Sequence, residues 1–283
     1  MLWFLYAIIG AFVTGIGQVL VKRGQAKLTP LLDNLLATLI VSLILVPLLF
    51  IWGIDITAGK NILIYALIAA VMYASFYYII SFGNVSLMVS LINTFPVVTI
   101  ALSISYLHES PSLYQWLGIA MVILGAICIS QEKSVKGVIN KNKSWVIWGL
   151  LGSLAIGIAE FVTKLATAKV DGFTFTFFVY LMYIPVFLII MAFDRKGRKF
   201  KMLKNQSSLL FTAIGIFFIE AGLIAIALAY QHGLASLVSP VVATHMLITA
   251  LLAVFLLKEQ LLVIQRIGIL LTLIGVSVIG IWS

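Results

Sequence analysis

The sequence has few charged residues. Asp, Glu, Lys and Arg make up 10% of its 283 residues, whereas a soluble domain has about 25%. Apolar residues make up 63%, which is more than an ordinary soluble fold can bury. A disordered chain, in contrast, has few apolar and many charged residues. The composition therefore excludes a soluble enzyme and intrinsic disorder, and it indicates a chain that lies in a lipid bilayer.

Cysteine and acidic residues are also scarce. Cys128 is the only cysteine, which excludes an intramolecular disulfide and a cysteine zinc site. The 9 Asp and Glu stand against 18 Lys and Arg, for a net charge of +9. The basic run 195–204 could bind nucleic acid, but it lies between apolar runs, so we interpret it as a loop near anionic lipid headgroups. The sequence contains no phosphate-binding loop, nucleophile motif or metal-ligating cluster, so we expect no enzyme, no cofactor and no metal.

Ten apolar runs divide the chain. Most are long enough to cross a bilayer core of about 30 Å as a helix, and they are too continuously apolar for the strands of a barrel. The predicted fold is therefore all-α, with ten transmembrane helices. The runs are Leu2–Val21, Leu31–Trp52, Ile62–Ser81, Val85–Leu107, Leu113–Ile129, Ser144–Lys164, Phe173–Phe193, Leu209–Tyr230, Leu234–Leu257 and Leu261–Ile281.

The two halves of the chain resemble each other. We predict a first repeat at residues 1–130, a cytoplasmic linker at 131–143 and a second repeat at 144–283. Five helices is an odd number, so the second copy enters the membrane from the opposite face, as in many secondary transporters. At an offset of 150 residues the paired positions are Thr94 and Thr244, Glu109 and Glu259, Gly118 and Gly268, and Gly125 and Gly275; at an offset of 142 they are Gly10 and Gly152, Gln18 and Glu160, and Lys22 and Lys164.

These repeated segments resemble a known group of proteins. Each unit ends in a helix-terminal Glu and a Gly-rich last helix, and the segments Ala-Ser-Leu-Val-Ser-Pro at 235–240 and Glu-Ser-Pro-Ser-Leu-Tyr-Gln-Trp-Leu-Gly-Ile at 109–119 carry much of the similarity. Over nearly its whole length the chain resembles the drug/metabolite transporter superfamily, EamA type. That resemblance implies a ten-helix secondary transporter with a central cavity lined by both halves. It leaves open whether the substrate is an amino acid, choline, a nucleotide-like metabolite or a drug.

The basic residues are unevenly distributed between the loops. Of the 18 Lys and Arg, 15 lie in the loops that follow odd-numbered spans, and the other three are Lys60, Lys164 and Lys169. Cytoplasmic loops are enriched in Lys and Arg. The count therefore predicts a multi-pass protein of the cytoplasmic (inner, plasma) membrane with both termini outside, whereas the family resemblance implies that both termini lie in the cytoplasm.

Few polar side chains lie within the predicted spans. A charged side chain at the bilayer centre costs about 2.5–3.5 kcal/mol on insertion scales, so such residues are candidates for function. Tyrosine rings that line a cavity could hold a cation against their faces. The predicted substrate-binding residues are Glu220, His245, Glu160, Asn93, Thr94, Tyr77, Tyr73 and Gln18.

Three of these residues leave alternatives open. Glu220 has no cation within a helical turn along the sequence, so it suits a proton carrier, a counter-ion for a cationic substrate, or a structural carboxyl group. Glu160 can meet Lys164 four residues later on one helix face, or it can lie where the small-residue row 149–157 opens into a cavity. His245 fits a binding site and a hydrogen-bonded packing residue equally.

Prolines interrupt the fourth and ninth spans. Pro96 and Pro240 each remove a main-chain hydrogen bond to the residue four positions earlier, beside polar side chains. Broken helices in corresponding regions of two repeats are typical of a transporter's binding site. We therefore expect the site near these two breaks.

Together these features predict a secondary active transporter that works by alternating access. The expected substrate is a small organic cation or zwitterion, such as an amine or amino acid, and proton coupling is a further hypothesis. The expected partners are this substrate, protons and membrane lipid but no nucleic acid, and the fused repeat makes a working monomer feasible. The alternative function is a lipid-linked headgroup flippase, which would need a lateral opening between helices.

Overall fold

The computed structural model describes residues 1–24, 29–79, 91–131, 144–194, 206–257 and 261–282. Within these ranges all regular structure is helical, which confirms the predicted class. Eight helical segments are long and apolar enough to cross a membrane, and two further apolar helices are shorter. The count of ten spans stays a prediction, because the fourth predicted span begins at Val85, outside the described residues.

The helices are labelled here in chain order. A 3-10 turn at Lys60–Ile62 joins the third helix to the fourth. The α-helices are α1 (Leu2–Gly24), α2 (Pro30–Ile51), α3 (Ile56–Gly59), α4 (Leu63–Ile79), α5 (Phe95–Leu107), α6 (Leu113–Ile129), α7 (Ser144–Thr167), α8 (Gly172–Phe193), α9 (Gln206–His232), α10 (Ala235–Val242), α11 (His245–Leu257) and α12 (Val263–Ile281).

Local side chains fix the turn between α5 and α6. His108 ends α5 in the left-handed region, with φ of 54°, a common way to terminate a helix. A capping box then starts α6, in which the Ser112 amide donates to the Gln115 side chain at 2.7 Å and the Gln115 amide donates to the Ser112 hydroxyl at 3.4 Å. Glu109 is held between these two fixed ends.

Glycines allow α1 to cross α9 closely. A Cβ atom added at Gly215 would lie 2.7 Å from the carbonyl oxygen of Gly17, and one added at Gly10 would lie 3.2 Å from that of Gly222. The paired positions run in opposite order along the two helices, so the helices are antiparallel. Small residues at such a crossing let two backbones pack directly against each other.

The crossing of α6 with α12 follows the predicted repeat. A Cβ atom at Gly275 would lie 2.7 Å from the carbonyl oxygen of Gly118, and one at Gly268 would lie 2.7 Å from that of Gly125. Each glycine of α6 has its mate in α12 at the offset of 150 residues. The contact between Gly118 and Gly275 is therefore equivalent to the contact between Gly125 and Gly268, as expected when two copies of one unit pack against each other.

Two clusters of buried apolar side chains form most of the interior. One joins α2, α4 and α8 and includes Leu48 and Tyr180. The other joins α1, α9 and α10 and includes Tyr230 and Val238. Large apolar side chains such as Leu43 and Leu270 remain exposed on the outside, as expected for a surface that faces lipid. The polar side chains described next lie where these two clusters meet.

Candidate functional site

Glu160, on α7, lies at the centre of a buried hydrogen-bond cluster. Its carboxyl oxygen Oε2 accepts from the hydroxyls of Tyr230 at 2.6 Å, Ser239 at 2.5 Å and Thr99 at 3.4 Å. These donors come from α9, α10 and α5, and only 4% of Glu160 is exposed. Three hydroxyls thus replace water around one oxygen of a buried acid, and this oxygen connects four helices.

The pairing that the sequence allows between Glu160 and Lys164 is not formed. The Lys164 ammonium donates instead to the carbonyl oxygens of Tyr230 at 2.9 Å and Gly233 at 2.7 Å. These carbonyls lie at the C-terminal end of α9, where the helix dipole favours a cation. The spacing of four residues allows an ion pair between Glu160 and Lys164. Lys164 instead binds the end of α9, because the last carbonyls of a helix have no main-chain donor.

Glu220 is the second buried acid, on α9, with 6% of its surface exposed. Tyr180 of α8 borders its carboxyl group, and the Tyr180 hydroxyl donates to the Glu220 main-chain carbonyl at 2.6 Å. Within the described ranges, neither Glu220 nor Glu160 forms an ion pair with Lys, Arg or His. The same ranges bring no three His, Cys, Asp or Glu together as a metal site.

Tyr73 of α4 connects the surroundings of the two acids. Its hydroxyl lies beside Thr163 of α7 and within electrostatic range of both Glu160 and Glu220. A cavity of about 20 Å³ adjoins it, which is room for one group the size of a water molecule. The structure therefore brings three of the predicted residues together, and it is closed around them.

The helices break at equivalent places in the two halves. A short turn ends at Thr94 in the first half and at Thr244 in the second. The Thr94 hydroxyl donates to the Leu91 carbonyl at 2.7 Å, and the Thr244 hydroxyl donates to the Val241 carbonyl at 2.6 Å. The break expected beside Pro96 is therefore present, whereas α10 continues past Pro240 to Val242 and breaks only afterwards. The two turns lie 150 residues apart, which is one repeat offset.

The prolines flank these breaks and do not coincide with them. Pro96 is the second residue of α5, just after the first break. Pro240 lies inside α10, before the second break. A proline is well tolerated in the first turn of a helix because that amide has no partner there. The paired threonines therefore mark the breaks more accurately than the prolines do.

His245 is buried at the start of α11, directly after the second break. Its ring nitrogen Nδ1 lies 2.9 Å from the Val242 carbonyl oxygen and donates to it. Its ring stacks on Phe95, with centroids 6.4 Å apart and planes inclined by 12°. Phe95 and His245 are mates at the offset of 150 residues, so equivalent positions of the two repeats contact each other. These contacts agree with the packing interpretation of His245.

The small-residue row on α7 packs against the first break. A Cβ atom at Gly157 would lie 2.9 Å from the main chain of α5, and the Ser153 hydroxyl lies 3.1 Å from that of Thr94. This close approach is the one that the row predicted. Asn93, in the same turn, donates to the Ser130 hydroxyl at 3.5 Å and not to either acid.

Gln18 of α1 is the repeat equivalent of Glu160 of α7, at the offset of 142 residues. Its side-chain oxygen accepts from the Thr249 hydroxyl at 3.1 Å, so its hydrogen bond lies away from the two acids. The Tyr77 side chain lies outside the described part of the chain. The eight predicted residues therefore do not form one cluster, and Glu160, Glu220 and Tyr73 are the candidate centre.

Sequence reasoning missed the role of Glu109, which it treated only as a repeated position. This carboxylate is 8% exposed and accepts from the Ala235 amide at 2.9 Å and from the Ser236 amide and hydroxyl at 2.8 and 2.6 Å. It thus caps the first amides of α10, where negative charge is favoured. Two features of the sequence could have indicated this role: Glu109 is repeated at Glu259, and Ser236 lies in the repeated segment at the start of α10. Glu259 itself lies outside the described residues.

A second buried polar group was also missed, at the start of α2. The Asn34 side chain accepts from the Tyr183 hydroxyl at 3.2 Å and donates to the carbonyls of Pro30 at 3.1 Å and Ala74 at 3.4 Å. Asp33 beside it is buried as well. Both residues stand near the beginning of a predicted span, where polar residues are ordinary, so nothing in the sequence distinguished them.

The fold and its buried acids define a multi-pass helical membrane protein made of two similar halves. The chain belongs to the EamA-like transporter family, whose model matches residues 1–131 and 143–281. The two matched ranges correspond to the two halves identified from the internal repeat, and the family resemblance proposed from the sequence is confirmed.

Two individual proteins illustrate this relationship. A solved crystal structure superposes with a TM-score of 0.79 over 98% of this chain and 96% of the other, at 13% identity, which shows the shared fold alone. An uncharacterized protein of Methanocaldococcus jannaschii is 38% identical over 79 residues, or 26% of this chain. The matched region spans 58% of that relative's length, and neither protein indicates a substrate.

Proposed function

We propose that this protein is a secondary active transporter that moves a small organic cation or zwitterion, such as an amine or amino acid, across the membrane. The observation that carries the proposal is the pair of buried acids, Glu160 and Glu220, beside one tyrosine hydroxyl. A buried acid without an ion pair is costly to keep in a bilayer. A substrate that brings positive charge would offset this cost while it is bound.

Alternating access is the proposed mechanism. Turns interrupt the helices at Thr94 and Thr244, and the next residues, Phe95 and His245, stack on each other across the two halves. Rocking of one half against the other around these breaks would open the centre first to one side of the membrane and then to the other. This movement would change the hydrogen bonds of Glu160, because its oxygen Oε2 accepts from Thr99 of the first half and from two hydroxyls of the second.

Proton coupling is part of the proposal. One of the two carboxyl groups would hold a proton when the substrate is absent and release it when the substrate binds, so that substrate and proton exchange across the membrane. The measurement is uptake by liposomes that contain the purified protein, with and without a pH gradient. A compound for this assay comes from a thermal-shift screen against amino acids, quaternary amines, nucleosides and polyamines.

Two variants make this test specific. Glu220→Gln and Glu160→Gln keep the size of each side chain but remove its charge and its proton. We expect each to abolish uptake driven by a pH gradient. Wild-type rates in both variants, or a protein that transports none of the compounds in the screen, would refute the proposal.

The orientation is a separate proposal. We propose that the chain lies in the cytoplasmic membrane with both termini outside, as the distribution of Lys and Arg predicts. A tag placed after Ser283 should then be labelled in intact cells by a reagent that does not cross the membrane. Labelling only after permeabilisation would reverse the orientation.

A flippase for lipid-linked headgroups is the second candidate, supported by one feature of the surface. An apolar groove of about 520 Å³ lies between α1 and α12, lined by Phe4, Ile8, Val276 and Ser277 among others. Such a groove could accommodate an acyl chain while a headgroup crosses between the helices. Translocation of a fluorescent lipid in the same liposomes, at rates above those of protein-free vesicles, would favour this candidate over the metabolite transporter.

A further inference from the structure

The small cavity beside Tyr73 is lined by three hydroxyl groups that already donate to main-chain carbonyls, and by the aliphatic side chains of Val179, Leu223, Ile226 and Ala227. The Thr163 hydroxyl donates its proton to the Ala159 carbonyl at 2.8 Å, and the Thr176 hydroxyl donates to the Gly172 carbonyl at 2.8 Å. The Tyr180 hydroxyl donates to the Glu220 main-chain carbonyl at 2.6 Å. All three side chains line the cavity. Each hydroxyl can therefore act only as an acceptor towards a group inside the cavity, and the Thr163 oxygen is shared with the Tyr73 hydroxyl beside it.

Aromatic rings and one acid complete these surroundings. The rings of Phe175, Tyr73 and Tyr180 also line the cavity, and the face of an aromatic ring attracts a cation. The Glu220 carboxyl group borders Tyr180 and stands one helical turn from Leu223, another lining residue. Within the described ranges, no cationic side chain lines this cavity. Although much of the wall is apolar, its acceptor oxygens and ring faces, with Glu220 beside them, favour positive charge.

The two acids differ in what already surrounds them. Three hydroxyls donate to the Glu160 oxygen Oε2. The Tyr180 hydroxyl beside Glu220 is directed at the main-chain carbonyl of that residue. Glu220 therefore keeps more of its capacity to accept hydrogen bonds from a ligand, whereas Glu160 is held by the protein itself.

We propose that this cavity, with Glu220 beside it, is the binding site for a primary ammonium group. The proposal deepens the proposed function, on which it rests, by naming the chemical group that the site selects. A primary ammonium has three N–H donors and no acceptor, which matches the hydroxyl oxygens of Thr176 and Tyr180 and the carboxyl group of Glu220. The remainder of the substrate would occupy space that forms when the two halves separate.

Size excludes the quaternary amines. The cavity volume of about 20 Å³ holds one group the size of water, and an ammonium head is of that size. A trimethylammonium head is several times larger and has no N–H to donate. The site therefore distinguishes an amine from its methylated analogue both by shape and by hydrogen bonding.

The experiment uses the full-length protein, purified in detergent, and two probes. Melting temperatures are titrated with methylammonium chloride and with tetramethylammonium chloride, against sodium chloride at the same ionic strength. We expect methylammonium alone to stabilise the wild-type protein. Glu220→Gln and Thr176→Val should each weaken its apparent affinity by about tenfold or more, because a hydrogen bond to a charged group is lost.

Thr167→Val is the matched control. Thr167 is a buried threonine of α7 that, like Thr176 on α8, donates to the carbonyl four residues earlier, here that of Thr163 at 2.8 Å, but it does not line the cavity. This variant should bind methylammonium with wild-type affinity. Since Thr and Val have similar shapes, and each variant's own melting temperature shows whether it is folded, a loss of affinity can be separated from a loss of structure.

Three outcomes would overturn the inference: equal stabilisation by tetramethylammonium, wild-type affinity in both Glu220→Gln and Thr176→Val, or no stabilisation by methylammonium. Uptake into liposomes tests the proposed function separately. If a compound without a primary amine is transported while methylammonium does not bind, the ammonium site is refuted and the transporter stands. If methylammonium binds but nothing in the screen is transported, the site stands and the transport function is refuted.

Discussion

Thr99 and Thr249 make equivalent contacts in the two halves of the protein. The Thr99 hydroxyl lies 3.2 Å from the Gly157 carbonyl oxygen of α7 and 3.4 Å from the Glu160 carboxyl oxygen. The Thr249 hydroxyl lies 3.3 Å from a carbonyl of α1 and 3.1 Å from the side-chain oxygen of Gln18. The two sets of contacts have the same geometry, but only Glu160 can ionise. This difference separates a structural contact from one that the proposed proton coupling would use.

The first prediction compares Thr99→Val with Thr249→Val. Each variant removes one hydrogen-bonded hydroxyl, buried at Thr99 and half-buried at Thr249, and should lower the free energy of unfolding by about 1 kcal/mol, measured by denaturation in mixed micelles. Only Thr99→Val should also change the pH dependence of uptake, because Thr99 contacts an ionisable side chain, whereas Thr249 contacts the main-chain carbonyl of His245 and the neutral Gln18 side chain. An equal change in the pH profile of Thr249→Val would show that the Glu160 cluster is not special.

The second prediction concerns the cap that Glu109 forms on α10. Glu109→Ala leaves the Ala235 amide and both Ser236 donors without their acceptor. Each buried donor left unpaired costs about 1–3 kcal/mol, so we expect a clear drop in melting temperature. Ser105→Ala, an exposed change on the preceding helix, is the control and should leave the melting temperature unchanged. Equal melting temperatures for the two variants would contradict the capping role.

The sequence predicted features that depend on periodicity and local composition. Apolar runs identified the helical class, and the offset of 150 residues paired Thr94 with Thr244, because a repeated sequence folds twice in the same way. The breaks themselves were predicted from Pro96 and Pro240, which lie near these threonines. The partners of Glu160 could not be predicted. Tyr230 and Ser239 lie on other helices, and only tertiary packing decides which of many polar residues meet.

The Glu160 and Lys164 pair is a contact that the sequence allows but the structure does not form. Their spacing is right for contact on one helix, yet the ammonium of Lys164 binds the end of α9. A helix end with unpaired carbonyls is a strong acceptor that the sequence does not place in space. Local spacing thus indicates which contacts are allowed, and competition between helices decides which are formed.

The third prediction concerns pH and a cap outside the membrane-spanning helices. The Asp55 carboxylate accepts from the amides of Thr57 and Ala58 at 3.0 and 2.9 Å and from the Thr57 hydroxyl at 2.7 Å. Two hydrogen bonds hold the pKa of Asp55 below its ordinary value of 3.8: the one from the Ala58 amide has the larger effect, and the one from the Thr57 hydroxyl comes next. A lowered pKa in the folded state means that the cap stabilises the fold fully above that ordinary value and loses its effect as the pH falls through the lowered pKa.

Asp55→Asn tests this cap. At neutral pH the variant should show faster hydrogen exchange than the wild type at the Thr57 and Ala58 amides, because a neutral amide accepts more weakly than a carboxylate. The difference should shrink once the pH is below the lowered pKa of Asp55. A difference that stays constant across the acid range would mean that the charge of Asp55 does not contribute.

The last prediction concerns the symmetric crossing of α6 and α12. A Cβ atom at Gly118 would lie 2.8 Å from the Gly275 carbonyl oxygen, which is too close for any side chain without moving a backbone. Gly118→Val should therefore separate the two helices and cost about 1–3 kcal/mol through overpacking. Ala120→Val also introduces valine on α6, at an exposed position two residues away, and should be nearly neutral. Since Gly275 belongs to the second repeat, a low melting temperature for Gly118→Val alone would show that contact between the repeats stabilises the fold, and equal melting temperatures would show that it does not.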